Sequence, residues 1–454
     1  MRKLDKTWKK LLYALAGMGV NMLNLMMNSY LCSALLIGGF GEEAIKNQTF
    51  AGVDLIVPAV WTVFAFISKI IDGIIDIPMA SLTDNLKSKW GRRRPALVMG
   101  FIPMIAAYVL FLCVPNSGAA TVLNTVYFGV LLCIFYIGYT LTMVTYYATF
   151  TEIVDNAKDR AFISNSKAFF DIVYYILGYV VVSGMLKSTN IKTVALIVLP
   201  MSLTMLIAFF MIKEKSTKDG VEGEKSETVN LVKSITFTLK NRPFVLWMVI
   251  YSVMTVGVQL FLGGINEYFS YVDMNMMFVM MGAFAPVPFT LILYNRMMKK
   301  RGFGVAFRVS LIIYALGMIS MFAAGIIFDK GSVKTIISVI TGVISSFAIG
   351  SLFSVAYFVP SQLAAEEEQK TGIKSSAMYF AVQGLFAGIA SGLATGVILT
   401  LLKTFTDKEA DKAAAVNSGP MAYMTLIAGV FVLIAALLMP KLPQSIKDIG
   451  KEAK

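Results

Sequence analysis

The chain has 454 residues, 57% of them hydrophobic and 15% charged, with a formal net charge of +13. A soluble domain carries about 25% charged residues, so the composition and a mean hydropathy of +0.72 exclude an ordinary soluble enzyme. Long unbroken apolar runs also exclude a transmembrane barrel, whose strands are short and alternate, and a chain without histidine has no His-based triad, His-ligated zinc or His proton relay.

In chain order the apolar runs predict about twelve helical spans, each long enough for a hydrocarbon core about 30 Å thick. They lie near 11–38, 51–81, 96–115, 121–150, 166–187, 191–212, 243–270, 273–296, 304–328, 333–361, 375–403 and 419–440. The expected fold class is all-α, a polytopic membrane protein. The leading MRKLDKTWKK is basic, but the apolar run after it is long enough to span, so no cleavable signal peptide is expected. Asn21, Asn24 and Asn28 form an i, i+3, i+7 stripe on the first span. Their amides can serve substrate hydroxyls or bond helix to helix. Cys32, Cys113 and Cys133 lack metal-ligand spacing and read as small buried hydrophobes.

The second span closes on KIIDGIIDIPMASLTDNLKSKWGRRRP, residues 69–95. Asp72 and Asp76 stand one helical turn apart on one face. Ionisable groups in a span face a cavity or the bundle interior. Adjacent carboxylates repel, so one is protonated or a cation lies between them. Bound Na⁺ and a shuttled proton both resolve the conflict, whereas an ion pair with Lys69 satisfies only one acid.

Between the sixth and seventh spans, KEKSTKDGVEGEKSETVNLVKSITFTLKNRP is the longest polar segment. It reads as a charged linker and, after Thr228, a short amphipathic surface helix. The expected organisation is an N-terminal six-helix bundle at 1–212, a cytoplasmic linker at 213–242, a C-terminal six-helix bundle at 243–440 and a cytoplasmic tail at 441–454. Arg2, Lys3, Lys6, Lys9 and Lys10 precede the first span, Lys87, Lys89, Arg92, Arg93 and Arg94 follow the second, and Arg296, Lys299, Lys300 and Arg301 follow the eighth. The alternate loops GGFGEEAIKNQ and VPNSGAA are poor in base. Both termini are therefore expected in the cytoplasm, with the protein multi-pass in the cell membrane. DNLKSKWGRRRP and NRMMKKRGFG occupy matching positions of the two halves, which is the outline of a major facilitator transporter.

Residues 69–95 resemble the signature of the glycoside–pentoside–hexuronide:cation symporters, a D-x-x-x-D-x-P run followed by a further Asp and a basic loop. QLAAEEEQKTGIKSSAMYFAVQG (362–384) resembles the family segment before helix eleven, and YTLTMVTYYATFTEIVDNAKDRAF (139–162) its helix four and following loop. The resemblance implies a neutral sugar or glycoside carried with H⁺, Na⁺ or Li⁺, by a monomer in a lipid membrane, with no nucleic acid and no other cofactor. It implies cation binding by Asp72, Asp76 and Thr140. Ile75 stands where many members offer an amide to sodium, and a hard cation needs several oxygen ligands, which tilts the reading toward protons. Family sugar-binding acids fall on Asn21 and Met143, and a helix-eleven Lys falls near Gly388, so a melibiose-like galactoside is not expected. The substrate candidates are Asn21, Asn24, Met143, Tyr147, Lys167, Tyr379 and Gln383. Tyr147 either stacks on a sugar ring or packs, and Lys167 either binds substrate or pairs with Asp171. Asp84, Arg92, Arg93, Arg94, Glu152 and Glu366, with the neighbouring Glu367 and Glu368, are candidates for charge pairs that close the cytoplasmic side, or simply solvated positive-inside charge.

Three functions remain: a cation-coupled sugar symporter, a carrier of lysolipid-like amphiphiles fitted to the 28 methionines, and a non-transporting sensor. An enzyme is not expected, because no phosphate-cradling loop, nucleophile context or polar catalytic domain occurs.

Overall fold

In the computed structural model the described residues are 4, 6–75, 78–79, 86–153, 157–214, 216, 236, 239–328, 331–371, 376–406, 419–449 and 451. Among them twelve helical stretches are numbered here in chain order. They are α1 (Thr7–Leu35), α2 (Pro58–Ile74), α3 (Arg93–Phe111), α4 (Val122–Glu152), α5 (Ala157–Ile176, continued to Met185) and α6 (Ile191–Met211). The others are α7 (Arg242–Tyr271), α8 (Met276–Phe284 and Val287–Arg301), α9 (Phe303–Ile327), α10 (Gly331–Thr371), α11 (Ser376–Ser391, continued to Thr404) and α12 (Pro420–Lys441).

Among the described residues nine of these helices are by themselves long and apolar enough to cross a membrane, and α8, bent by 40°, makes ten. The expected fifth span falls short of that measure, and the second is described only in part. The helix α2 has 17 described residues, and the apolar part of α5 is confined to Phe169–Met185 because Lys167 interrupts it. The protein is nearly all helix, a polytopic α-helical membrane protein. Its outward side chains are apolar, as lipid requires: Ile102 is 60% and Phe289 73% exposed.

Local chemistry sets the helix ends. The side chains of Thr121, Asn190 and Asn241 accept from the backbone N–H of Asn124, Thr193 and Phe244 and so cap α4, α6 and α7. Pro286 breaks α8. The loop into α3 is a reciprocal clamp. The Glu214 carboxylate accepts from the Arg93 N–H at 2.7 Å, at the positive end of the helix. Arg94 donates to the carbonyls of Phe209 and Phe210 at 3.0 and 3.3 Å, satisfying the open end of α6. Gly91 has φ +83°, and a Cβ there would lie 2.3 Å from Glu214 Cβ, so this turn requires glycine. The α3 and α4 backbones also meet closely, since a Cβ on Gly100 would lie 2.6 Å from Thr142 Oγ1.

The chain forms two compact units. The first comprises Met1–Leu35 and Lys46–Thr228, the second Leu36–Ile45 and Val229–Lys454. In the first, α3 lies along α4, α2 packs on α4, and α1 on α5 and α6. In the second, α12 packs between α7 and α9, and α10 against α8 and α9. Of the cysteines, Cys32 and Cys133 are half-buried, but Cys113 is exposed beside the end of α3, contrary to the expectation of burial.

Candidate functional site

Four polar rows converge inside the first unit. On α4, Tyr136, Thr140, Met143 and Tyr147 recur at i, i+4, i+7 and i+11, so they share one face. The amide stripe of α1 supplies Asn21, Asn24 and Asn28, α2 supplies Lys69 and Asp72, and α5 supplies Lys167 and Asp171. A wide π turn at Met27–Leu31 interrupts α1 at Asn28. Such turns are frequent where a helix carries function.

Asp72 Oδ1 accepts from Thr140 Oγ1 at 2.9 Å. Lys69 Nζ donates to Tyr136 OH at 2.6 Å and lies 4.3 Å from the centre of that ring. Tyr136 OH in turn reaches Asn28 Oδ1 at 3.5 Å. Lys69 therefore stays within electrostatic range of Asp72 while its hydrogen bond goes to the tyrosine. The Asn24 Oδ1 atom is buried and has no hydrogen-bond partner among the described residues. Asp76 and Asp84 lie outside the described residues.

One turn along, a second network spans three helices. Asn21 Nδ2 donates to Asp171 Oδ1 at 3.2 Å, Tyr139 OH donates to Asn21 Oδ1 at 3.1 Å, and Lys167 forms an ion pair with Asp171. Lys167 Nζ also lies 5.0 Å from the Tyr147 ring centre. Tyr174 and Tyr175 stack beside Asp171 with ring centres 4.4 Å apart. Met143 is buried in the same row. Lys167 and Asp171 are 22% and 24% exposed, so the pair is desolvated without being sealed. Asp171 and Tyr139 are members that sequence reading did not single out as substrate candidates. The signal available was the i, i+4 spacing of Lys167 and Asp171 in an apolar run.

As for a metal, the described oxygen ligands near Asp72 are its own carboxylate and the Thr140 hydroxyl, with an ammonium close by. A hard cation such as Na⁺ takes six or so oxygens, so the described groups alone fall short of a sodium shell, with Asp76 outside the described residues.

The second unit uses its helix-eleven candidates internally. Trp247 Nε1 donates to Gln383 Oε1 at 2.9 Å, and Asn241 Nδ2 donates to Tyr379 OH at 2.7 Å and to Glu367 Oε2 at 3.3 Å. Tyr379 is fully buried. Of the gating candidates, Arg93 and Arg94 make the contacts within the first unit described above, Arg92 immediately precedes α3 as its N-cap, Glu366 lies on α10, and the side chains of Glu152 and Glu368 lie outside the described residues.

The MFS/sugar transport protein family matches residues 12–443. A curated relative, the uncharacterized symporter sll1374 of Synechocystis sp. (strain ATCC 27184 / PCC 6803 / Kazusa), is 28% identical over 118 residues, 25% of this chain and 22% of that protein. The chain thus matches less than a quarter of that relative's length. Among solved structures, the nucleoside transporter NupG superposes with a TM-score of 0.63 at 13% identity, covering 97% of this chain and 99% of that one. The xylose transporter XylE from E. coli, in a partially occluded inward open conformation, gives 0.60 at 15% identity, covering 97% and 100%. A bacterial homolog of the human lysosomal transporter Spinster gives 0.61 at 12%, covering 97% and 96%. At such identities these likenesses speak for the fold alone, whereas the family match spans nearly the whole chain. Because the match runs from residue 12 to residue 443, this chain belongs to the MFS/sugar transport protein family and is a transporter, not an enzyme.

Proposed function

We propose that the protein is a cation-coupled symporter of a neutral hydroxylated ring compound, a sugar or glycoside, of the glycoside–pentoside–hexuronide:cation type, working by alternating access with the proton as coupling ion. The observation that carries this reading is the pair of adjoining networks in the first unit: Asp72 on Thr140, and Asp171 with Asn21, Lys167 and Tyr139. The first offers a carboxylate that exchanges its proton in an apolar helix. The second offers an amide, a carboxylate and a phenol, groups that bind hydroxyls as donors and acceptors, beside the stacked rings of Tyr174 and Tyr175. Occupation of one network changes the affinity of the other, since their helices are shared, and that coupling drives accumulation. Sodium remains a competing cargo only through Asp76.

The test uses the full-length protein in liposomes under an imposed proton or Na⁺ gradient, with labelled D-xylose, melibiose and uridine as probes. Proton-driven accumulation of a sugar is expected, lost in Asp72→Asn and Asp76→Asn, with counterflow retained. Unchanged accumulation in both variants would sink the coupling assignment. Binding of lysolipid with no response to any sugar would replace it with the amphiphile carrier.

A further inference from the structure

The second unit contains a charge pair that the proposed chemistry leaves unused. Lys403 near the end of α11 and Glu267 near the end of α7 meet at 2.7 Å, and their side chains are 4% and 0% exposed. Glu267 Oε2 is buried with no hydrogen-bond partner among the described residues. Ionisable side chains at such depth in a span are costly and mark function, and replacing a buried pair by apolar groups is often neutral or stabilising. Its retention therefore needs a reason beyond stability.

The reason lies in what covers it. Leu36–Ile45 belongs to the second unit, although the chain on either side of it, up to Leu35 and from Lys46, belongs to the first. Within this stretch Gly38, Gly39, Phe40 and Gly41 form a strap seated on the pair. A Cβ on Gly38 would lie 2.2 Å from the Lys403 carbonyl oxygen. Gly39 has φ +83°, and its Cβ would lie 3.1 Å from Glu267 Cβ and 3.2 Å from Met421 Cγ. Phe40 is fully buried, with its ring centre 5.1 Å from Lys403 Nζ. The Gly41 N–H donates to Ser270 Oγ at 3.0 Å. Gly38 lets the backbone approach where a side chain would collide, Gly39 supplies the positive φ, and the one large residue presents its ring face to the ammonium.

We propose that residues 38–41 are a strap held in place by the Glu267–Lys403 pair as its receptor. Glu267 holds the lysine so that its charge faces the Phe40 ring, and the fit of the strap depends on that charge as well as on shape.

The test is hydrogen exchange on the full-length protein in lipid nanodiscs, read at peptides covering 36–45 and, as reference, 93–149. It needs no substrate, so its outcome is independent of the transport assignment. In the unaltered chain the strap peptide is expected to be protected. Gly39→Val, which cannot seat, and the double substitution Glu267→Leu/Lys403→Met, which removes the charge without leaving a partner unpaired, are each expected to speed strap exchange by about tenfold or more, with the reference unchanged. Phe40→Leu keeps the pair and the apolar volume, and is expected to move in the same direction by less. Fast strap exchange in the unaltered chain would overturn the proposal. So would protection that survives the double substitution and Phe40→Leu, or a loss of protection spread through the whole second unit.

Discussion

Each unit buries carboxylates against lysines, but in opposite styles. In the first, Lys167 and Asp171 are both more than one-fifth exposed and share their hydrogen bonds with Asn21 on α1, while Tyr139 on α4 reaches that amide. In the second, Glu267 and Lys403 are sealed to 0% and 4% exposure under a backbone strap. A pair still in reach of water and of flexible polar neighbours can exchange a partner for a ligand hydroxyl at small cost. A sealed pair can change partners only if something covering it moves, because separating its charges in a dry interior is expensive. In the proposals above, a carboxylate–lysine pair serves recognition in one place and seats a strap in the other, and burial separates the two.

The sharpest way to break this contrast is to remove one charge from each pair. Lys403→Met leaves the Glu267 carboxyl unpaired in a closed interior and is expected to destabilise the second unit by about 3–5 kcal/mol, seen as a fall in the thermal unfolding temperature that the added Glu267→Leu largely reverses. Equal destabilisation by both variants would show that the pair is not closed. Asp171→Asn removes the charged acceptor of Asn21 and the partner of Lys167. It is expected to leave the unfolding temperature nearly unchanged but to weaken substrate affinity in counterflow by roughly 10- to 100-fold, the loss typical of a hydrogen bond to a charged group. A smaller effect belongs to Asp448, beyond the last span and outside both interiors. The Gln444 side chain, donating at 2.7 Å, holds its carboxyl below the usual carboxylate range, assisted by Lys451 and Lys447. A depressed carboxylate contributes stability above its unfolded pKa and loses that contribution as pH falls through the folded one. Gln444→Ala is expected to raise the Asp448 pKa toward the ordinary value in a carbon NMR titration, with no change in transport.

Much of the architecture was legible in the chain because lipid imposes one rule everywhere: apolar residues outward, for about 20 residues at a time. The rule blurs at α5, where the apolar stretch is confined to Phe169–Met185 and Lys167 lies just before it. That helix contributes to the polar interior, so what weakens the span signal is what supplies the proposed chemistry. The i, i+4 relation of Lys167 and Asp171 could be read from spacing. That Lys69 turns to Tyr136, 67 residues away, could not, because both Asp72 and Tyr136 lie within reach of a long flexible side chain and only packing decides. The basic loop GRRRP read as orientation and gating charge. Its clamp with Glu214 and the end of α6 depends on a contact 121 residues distant, for which no local pattern exists. Glu267 and Lys403, 136 residues apart, each looked like an isolated charge near a span end.

The lysine companions have an electrical consequence. Lys167 on Asp171 and Lys403 on Glu267 each sum to zero, so these pairs experience no net force from the membrane voltage as their helices shift. A potential of 100 mV does work of about 2.3 kcal/mol on each elementary charge that crosses. With these pairs balanced, that work is left to the coupling site and its cargo ion, whose number per cycle the voltage dependence of transport would count.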